Sequence, residues 1–158
     1  MRKLKSKIKI YEPDPKFKDP LVTRFVNHLM KNGKKTIAYT IFYNCINEIE
    51  KKISKKEKSG LKIWKEALDN VMPHVEVRSR RIGGSNIQVP TQIQPYVKVT
   101  KAMKSLINCA RERNEKKMYK KLAGEILSAY KKEGASFKKR ENIHKMAEAN
   151  KAFSHFKF

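Results

Sequence analysis

The chain has 158 residues, and its 38 Lys+Arg against 15 Asp+Glu give a formal charge of +23 and a sequence pI of about 10.1. That length makes one domain, residues 1–158, with a real but modest core, and no apolar run approaches the roughly 20 residues of a membrane-spanning helix. So large a cationic surplus opposes compaction by self-repulsion and fits a polyanionic partner, nucleic acid before an anionic membrane surface.

Residues 1–12 alternate Lys or Arg with apolar residues up to the turn Pro13-Asp14-Pro15. With no partner strand nearby, they predict an extended basic arm that orders on RNA. The opening MRKLKSKIKI has no apolar region or cleavage site and does not read as a secretory signal. Pro20 starts a first helix running to about Lys31, with Leu21, Phe25 and Leu29 on one face. Asn32-Gly33 closes it with a cap that tolerates positive φ.

Lys34-Lys35 opens a second helix to about Lys52, where Ile37, Ala38, Ile41, Phe42, Cys45, Ile46 and Ile49 form a broad core stripe. Lys51, Lys52, Lys55, Lys56 and Lys58 crowd the following loop. A third helix, about Ser59 to Met72, presents Leu61, Trp64, Leu68 and Val71 inward, and Pro73 ends it.

Residues 74–94 then change period. Val75 and Val77 alternate with Glu76, Arg78 and Arg80, and Ile87, Val89, Thr91 and Ile93 resume the alternation after Gly83-Gly84. That pair suits a tight hairpin turn. One hairpin among helices cannot build a sheet and is marginal alone, so an arm carrying Arg78, Arg80 and Arg81 is expected to lie on something polyanionic. Pro90 and Pro95 restrict the return strand to an edge.

A fourth helix is predicted over Thr100 to Arg113, with Met103, Leu106, Ile107 and Ala110 inward. A fifth runs from about Glu115 to Glu133, burying Met118, Leu122, Ile126 and Tyr130, and Gly134 caps it. A sixth, about Lys138 to Ser154, carries Ile143, Met146, Ala147 and Phe153 on one face. Its start, with Lys138, Lys139 and Arg140, opposes the helix dipole, a conflict that a docked anion or a flanking acid such as Glu141 would relieve. The fold class is mainly α: a bundle of about six helices with one protruding β-hairpin arm between the third and fourth, and an extended basic N-terminal arm.

Cys45 and Cys109 are far apart and sit in apolar helical patterns, which reads as buried thiols rather than a disulfide or metal site. His28, His74, His144 and His155 are scattered. His74 with Glu76 is the nearest approach to an acid–base pair and reads as ordinary strand neighbours, and Gly33-Lys34-Lys35 lacks the remainder of a phosphate-cradling loop. No catalytic residue, metal or cofactor is expected.

Three separated stretches resemble one family. They are DPLVTRFVNHLMKNGKKTIAYTIFYNC from Asp19, the hairpin VEVRSRRIGGSNIQVP, and the ending KKRENIHKMAEANKAFSHF. The family is the bacterial-type small-subunit ribosomal protein number seven, the universal ribosomal protein seven family, and the resemblance covers essentially the whole chain in order. It implies a helical fold with a hairpin, primary binding to the rRNA of the subunit head, and a part in starting its assembly. It also implies a hairpin near the mRNA exit channel and exit-site tRNA, with proteins nine and eleven of the small subunit as neighbours, and a ribosome in the cytoplasm or in an organelle of bacterial descent. Carried over by position, the rRNA-binding residues are Arg2, Lys3 and Lys5 of the tail, Lys34 and Lys35, Arg78, Arg80 and Arg81, Arg111, Arg113, Lys116, Lys117 and Met118, and Lys138, Lys139, Arg140 and Lys145. The hairpin arginines with Gly83 and Gly84 are expected closest to mRNA and tRNA. Gln94 and Asn114 depart from the Arg and Gly common in the family at those positions.

Basic segments on several helix ends, together with two arms, suit an irregular folded RNA better than a duplex groove. A nucleoid-type, general nucleic-acid binder is the alternative that charge alone allows.

Overall fold

Six α-helices and one antiparallel hairpin make up the regular structure of the described residues, with the hairpin between the third and fourth helices. The structure, a computed structural model, describes residues 11–53 and 59–156. Arg2, Lys3 and Lys5 of the expected N-terminal arm, and Lys55, Lys56 and Lys58, lie outside them. Two compact units divide the chain, residues 1–40 and 41–158. Helix α2 (Lys35–Lys52) runs across the boundary.

In the first unit, the buried carboxylate of Asp14 organises the turn. It accepts from the backbone N–H groups of Lys16 and Phe17, at 3.1 and 2.9 Å. Asp19 then caps α1 (Pro20–Leu29) by accepting from Leu21 N–H at 2.9 Å, with Pro20 at the first helical position. Both choices follow from the unsatisfied donors of a helix start. Val22, Phe25, Val26 and Leu29 are buried. The helix ends two residues short of the predicted Lys31, because Met30 turns extended at ψ 138°. Asn32 and Gly33, at φ +53° and +73°, form the connection into α2 instead of a helix cap.

In the second unit, Trp64 of α3 (Gly60–Val71) meets the Phe42 ring edge-on at 5.3 Å. Phe42, Ile46, Ile49, Ile63, Leu68, Met103, Leu106, Ile107, Leu122 and Ile126 complete the core. Helix α3 packs against α4 (Pro95–Glu112), α5 (Met118–Tyr130) and α6 (Ala135–Ala149). A 3-10 segment, Lys151–Phe156, follows α6. Gly60 is required where α3 begins, since a Cβ there would stand 2.9 Å from side-chain carbons of Ile46 and Glu50.

Several boundaries differ from the sequence reading, each for a local reason. Helix α4 begins at Pro95 rather than Thr100, because proline's fixed φ suits the first helical position. Helix α5 begins at Met118 rather than Glu115, because side-chain bonds hold residues 113–115 in the preceding turn. Gly134, at φ +93°, caps the start of α6 at Ala135, three residues before Lys138. Of the apolar side chains expected inward, Ile37, Met146 and Phe153 are 54%, 46% and 38% exposed.

The strands β1 (Val75–Ile82) and β2 (Ser85–Gln92) pair across a two-residue turn, with Gly83 and Gly84 at φ +56° and +89°. Positive φ at both central positions is what a type I′ hairpin turn requires. The register places Glu76 opposite Thr91 and Arg78 opposite Val89. The side resting on the body is therefore the Glu76–Val89–Thr91 side, all three buried, whereas Val75 and Val77 are only half-buried.

Candidate nucleic-acid interface

The hairpin is fixed at its base and open at its tip. Glu76 accepts from Arg78 Nε through Oε1 and pairs with Lys101 Nζ of α4 through Oε2. Desolvation lowers the Lys101 pKa, and the adjacent Glu76 carboxylate keeps its charge compensated. His74 N–H donates to His144 Nε2 of α6 at 3.2 Å, and Ile93 N–H donates to the His74 carbonyl at 3.3 Å. Both strands also lie against α6, and β2 against the 3-10 segment. Toward the turn, Arg81, Gly83, Gly84, Ser85 and Asn86 are exposed, and Arg80 is half-buried. The His74–Glu76 pair considered from sequence is thus engaged in fastening the hairpin.

A second set of predicted cations surrounds α5. Glu125, 1% exposed, accepts from Arg113 Nη1 at 3.1 Å, from Ser136 Oγ at 2.6 Å and from Ser136 N–H at 2.9 Å. Arg113 Nε also donates to Glu115, at 3.0 Å. Burial alone would lower the Arg113 pKa, but the bonds to Glu115 and Glu125 outweigh it and the net shift is upward. Hydrogen bonding to a backbone N–H, assisted by Arg113, holds the Glu115 carboxyl below its ordinary value. Because Ser136 stands in the first turn of α6, the anion that this helix start calls for is Glu125, supplied from inside the fold. Gly124 leaves room for the network, as a Cβ there would come 2.9 Å from Arg113 Nη2.

The remaining predicted residues are placed as follows. Lys138, Lys139 and Lys145 are exposed along α6. Arg140 is half-buried, donating Nη1 to the Asn70 carbonyl at 2.8 Å and standing over the Phe137 ring at 4.4 Å. Arg111 is half-buried in the last turn of α4, where its carbonyl accepts from Lys121 Nζ at 3.2 Å. Lys116 and Lys117 are exposed beside half-buried Met118. Lys34 and Lys35 are exposed in the first unit, with Lys35 Nζ 5.8 Å from the Tyr39 ring.

Two hollows gather some of these side chains. Between α4 and α6, Lys101, Lys104, Lys139 and Arg140 surround a slot of about 220 Å³ floored by Val71, Pro73 and Ile143. Across α2 and α5, Lys51 and Lys117 share a recess of about 270 Å³ with Asn44, Asn47, Glu48 and Tyr119. Lys101, Lys104 and Glu125 were not singled out from sequence. The i, i+3 spacing of the two lysines beside the inward Met103 and Leu106 was the available signal for a basic edge.

A helical body that displays lysines from several helices, with arginines on a fastened hairpin, presents a cationic surface suited to a polyanion. No helix among the described residues is long and apolar enough to cross a membrane. The chain belongs to the family of ribosomal protein S7p/S5e, whose model matches residues 1–151. RNA binding and translation are general functions of that family, and its members are structural constituents of the ribosome. The chain is 85% identical over 158 residues to the small ribosomal subunit protein uS7 of Karelsulcia muelleri (strain GWSS), covering all of both chains. It is 60% identical, again over the full length of both chains, to the proteins of that name from Christiangramia forsetii and Cytophaga hutchinsonii.

Proposed function

We propose that the chain is a constituent of the small ribosomal subunit that binds the rRNA of the subunit head directly and helps to start its assembly, as one RNA-binding domain in a cytoplasmic ribosome. The observation that carries this reading is the separation of its cations into two kinds. Arg113 and Arg140 are bonded into the body, while Lys104, Lys139, Lys117 and Arg81 stand exposed on α4, on α6, at the start of α5 and on β1. Folded RNA presents phosphates from several directions, and a rigid array of exposed cations selects one such arrangement.

In this reading Lys34, Lys35, Lys116, Lys117, Lys138, Lys139 and Lys145 contact rRNA backbone, with Met118 packing beside them. The tail residues Arg2, Lys3 and Lys5 add further contacts. Arg113, Arg140 and Arg111 act mainly by holding the turns that present the lysines. The hairpin tip, from half-buried Arg80 and exposed Arg81 through Gly84, faces mRNA and exit-site tRNA, and proteins nine and eleven are neighbours of the chain.

The test is competition between a head-domain fragment of small-subunit rRNA and a scrambled RNA of equal length, across a salt series. A preference of roughly tenfold or more that persists as salt rises supports the reading, because nonspecific binding is almost entirely counterion release. Equal loss of both complexes would reduce the protein to a general nucleic-acid binder.

A further inference from the structure

The slot between α4 and α6 has a composition unlike the other lysine-rich surfaces. Its floor of Val71, Pro73 and Ile143 is apolar, and its rim is basic. Lys101 is paired with Glu76, so the rim's exposed ammonium groups are those of Lys104 and Lys139. Ser105 is hydrogen-bonded to the Cys109 thiol, and Asn108 is exposed, with an amide that both donates and accepts. Arg140 is anchored through Nη1 to Asn70, yet its Nε is buried without a hydrogen-bond partner.

An apolar floor, an exposed amide and two exposed cations are together the complement of one nucleotide removed from its stack. The floor covers the base face, the Asn108 amide meets polar atoms of the base edge, and the lysines meet the flanking phosphates. A duplex does not fit, because its bases present no free face. Single-stranded loops and bulges do, and such splayed bases are what RNA-binding proteins most often read.

We propose that the α4–α6 slot lodges a single unstacked nucleotide of the bound RNA, with its base against Val71, Pro73 and Ile143 and its flanking phosphates on Lys104 and Lys139. This rests on the rRNA-binding reading above and deepens it. Lys104 and Lys139 supply attraction to any RNA strand, whereas the slot admits only a segment able to turn one base outward.

The experiment fills the slot without touching its charge. Full-length Ser105→Trp is compared with wild type for binding to the head-domain rRNA fragment and to scrambled RNA, alongside the double variant Lys104→Ala, Lys139→Ala. Burying roughly 60 Å² of base face against apolar side chains is worth on the order of tenfold in affinity. Ser105→Trp is therefore expected to lose roughly tenfold on the head fragment alone, with an unchanged salt slope. The lysine variant should weaken both RNAs and lower the salt slope by about 0.7–0.9 per phosphate released. Chemical probing should show one nucleotide whose reactivity differs between the wild-type and Ser105→Trp complexes. Helical circular dichroism checks folding, and Ser105→Leu, a smaller filling, serves if the tryptophan variant is unfolded.

Head-fragment affinity and single-nucleotide reactivity unchanged by either filling variant overturn the slot while leaving rRNA binding intact. A wild-type protein that shows no preference for the head fragment overturns the reading beneath it.

Discussion

The hairpin tip and the turn before α5 carry the same residue type to opposite ends. Arg81 is exposed beyond the point where the hairpin rests on the body. Arg113 is only 32% exposed and is bridged to both Glu115 and Glu125. The difference lies in the carboxylates, not in the arginines. Glu125 sits on the buried side of α5 and must be compensated there, so the nearest arginine becomes part of the fold. The hairpin from Val77 to Ile93 contains no Asp or Glu. In a chain with 38 basic residues and 15 acidic ones, a buried acid such as Glu125 makes its cation structural, as the Asn70 carbonyl does for Arg140.

The largest test of that contrast is Glu125→Ala. Removing this carboxylate leaves Ser136 N–H and Oγ buried without their acceptor, and leaves Arg113 held by Glu115 alone. The expected loss is about 3 kcal/mol of stability, or on the order of 10 °C in melting temperature, read by thermal or urea unfolding. Glu125→Gln, which retains an acceptor for Ser136, should lose clearly less. Equal stability of wild type and Glu125→Ala would mean that the network is incidental.

Arg81→Ala is the opposite case. Stability should stay within about 0.5 kcal/mol, as for surface substitutions generally. If the tip meets RNA, the salt slope of binding falls by about 0.7–0.9, the value for a single neutralised phosphate. A shift in unfolding midpoint comparable to that of Glu125→Ala would show that the tip is braced against the body after all.

The comparison also explains what could be read from the sequence. Helices, their order and the hairpin with its Gly83-Gly84 turn were legible, because each rests on a local period or a residue with restricted φ. Which side of the hairpin is buried was less so. Val75 and Val77 look like the inner residues of β1, and Val89 and Thr91 of β2. A two-residue turn, however, pairs odd positions with even ones, as in Val77 with Pro90 and Arg78 with Val89. The two apolar sets therefore lie on opposite sides, and the body chooses the β2 set, with Glu76 neutralised by Lys101.

Glu125 was legible in principle. It lies three residues after Leu122 and one before Ile126, on the inward stripe of α5, and an acid there demands a partner. That the partner is Arg113, and that the same carboxylate serves Ser136 at the start of α6, depends on how α5 and α6 come together. No local pattern encodes that. The cationic slot is invisible for the same reason, since its walls come from residues 71–73, 101–108 and 139–143.

The smallest expected effect concerns the hairpin's base, where fastening depends on a neutral imidazole. His144 Nε2 accepts from His74 N–H, so the ring proton must be on Nδ1. Desolvation, followed by the nearby charge of Arg140 and by His74, lowers the His144 pKa below 6.5. Lys98 Nζ lies 3.5 Å from His74 Nδ1, and Glu148 and Lys151 line the adjoining hollow, so most neighbouring charge is also positive. The unfolded chain therefore binds a proton at His144 at a higher pH than the folded one does. Stability from this site is fully present above about pH 6.5, declines as pH falls toward the depressed native value, and is level below it. Glu115, whose carboxyl is held below 4.5, makes its contribution above its ordinary value and loses it only at lower pH, outside this window. Urea midpoints of wild type should therefore fall modestly between about pH 7 and pH 5, with the His74 amide losing exchange protection first. His144→Gln, which keeps an acceptor but cannot titrate, should flatten that slope. An identical slope in the variant would place the pH response elsewhere than at His144.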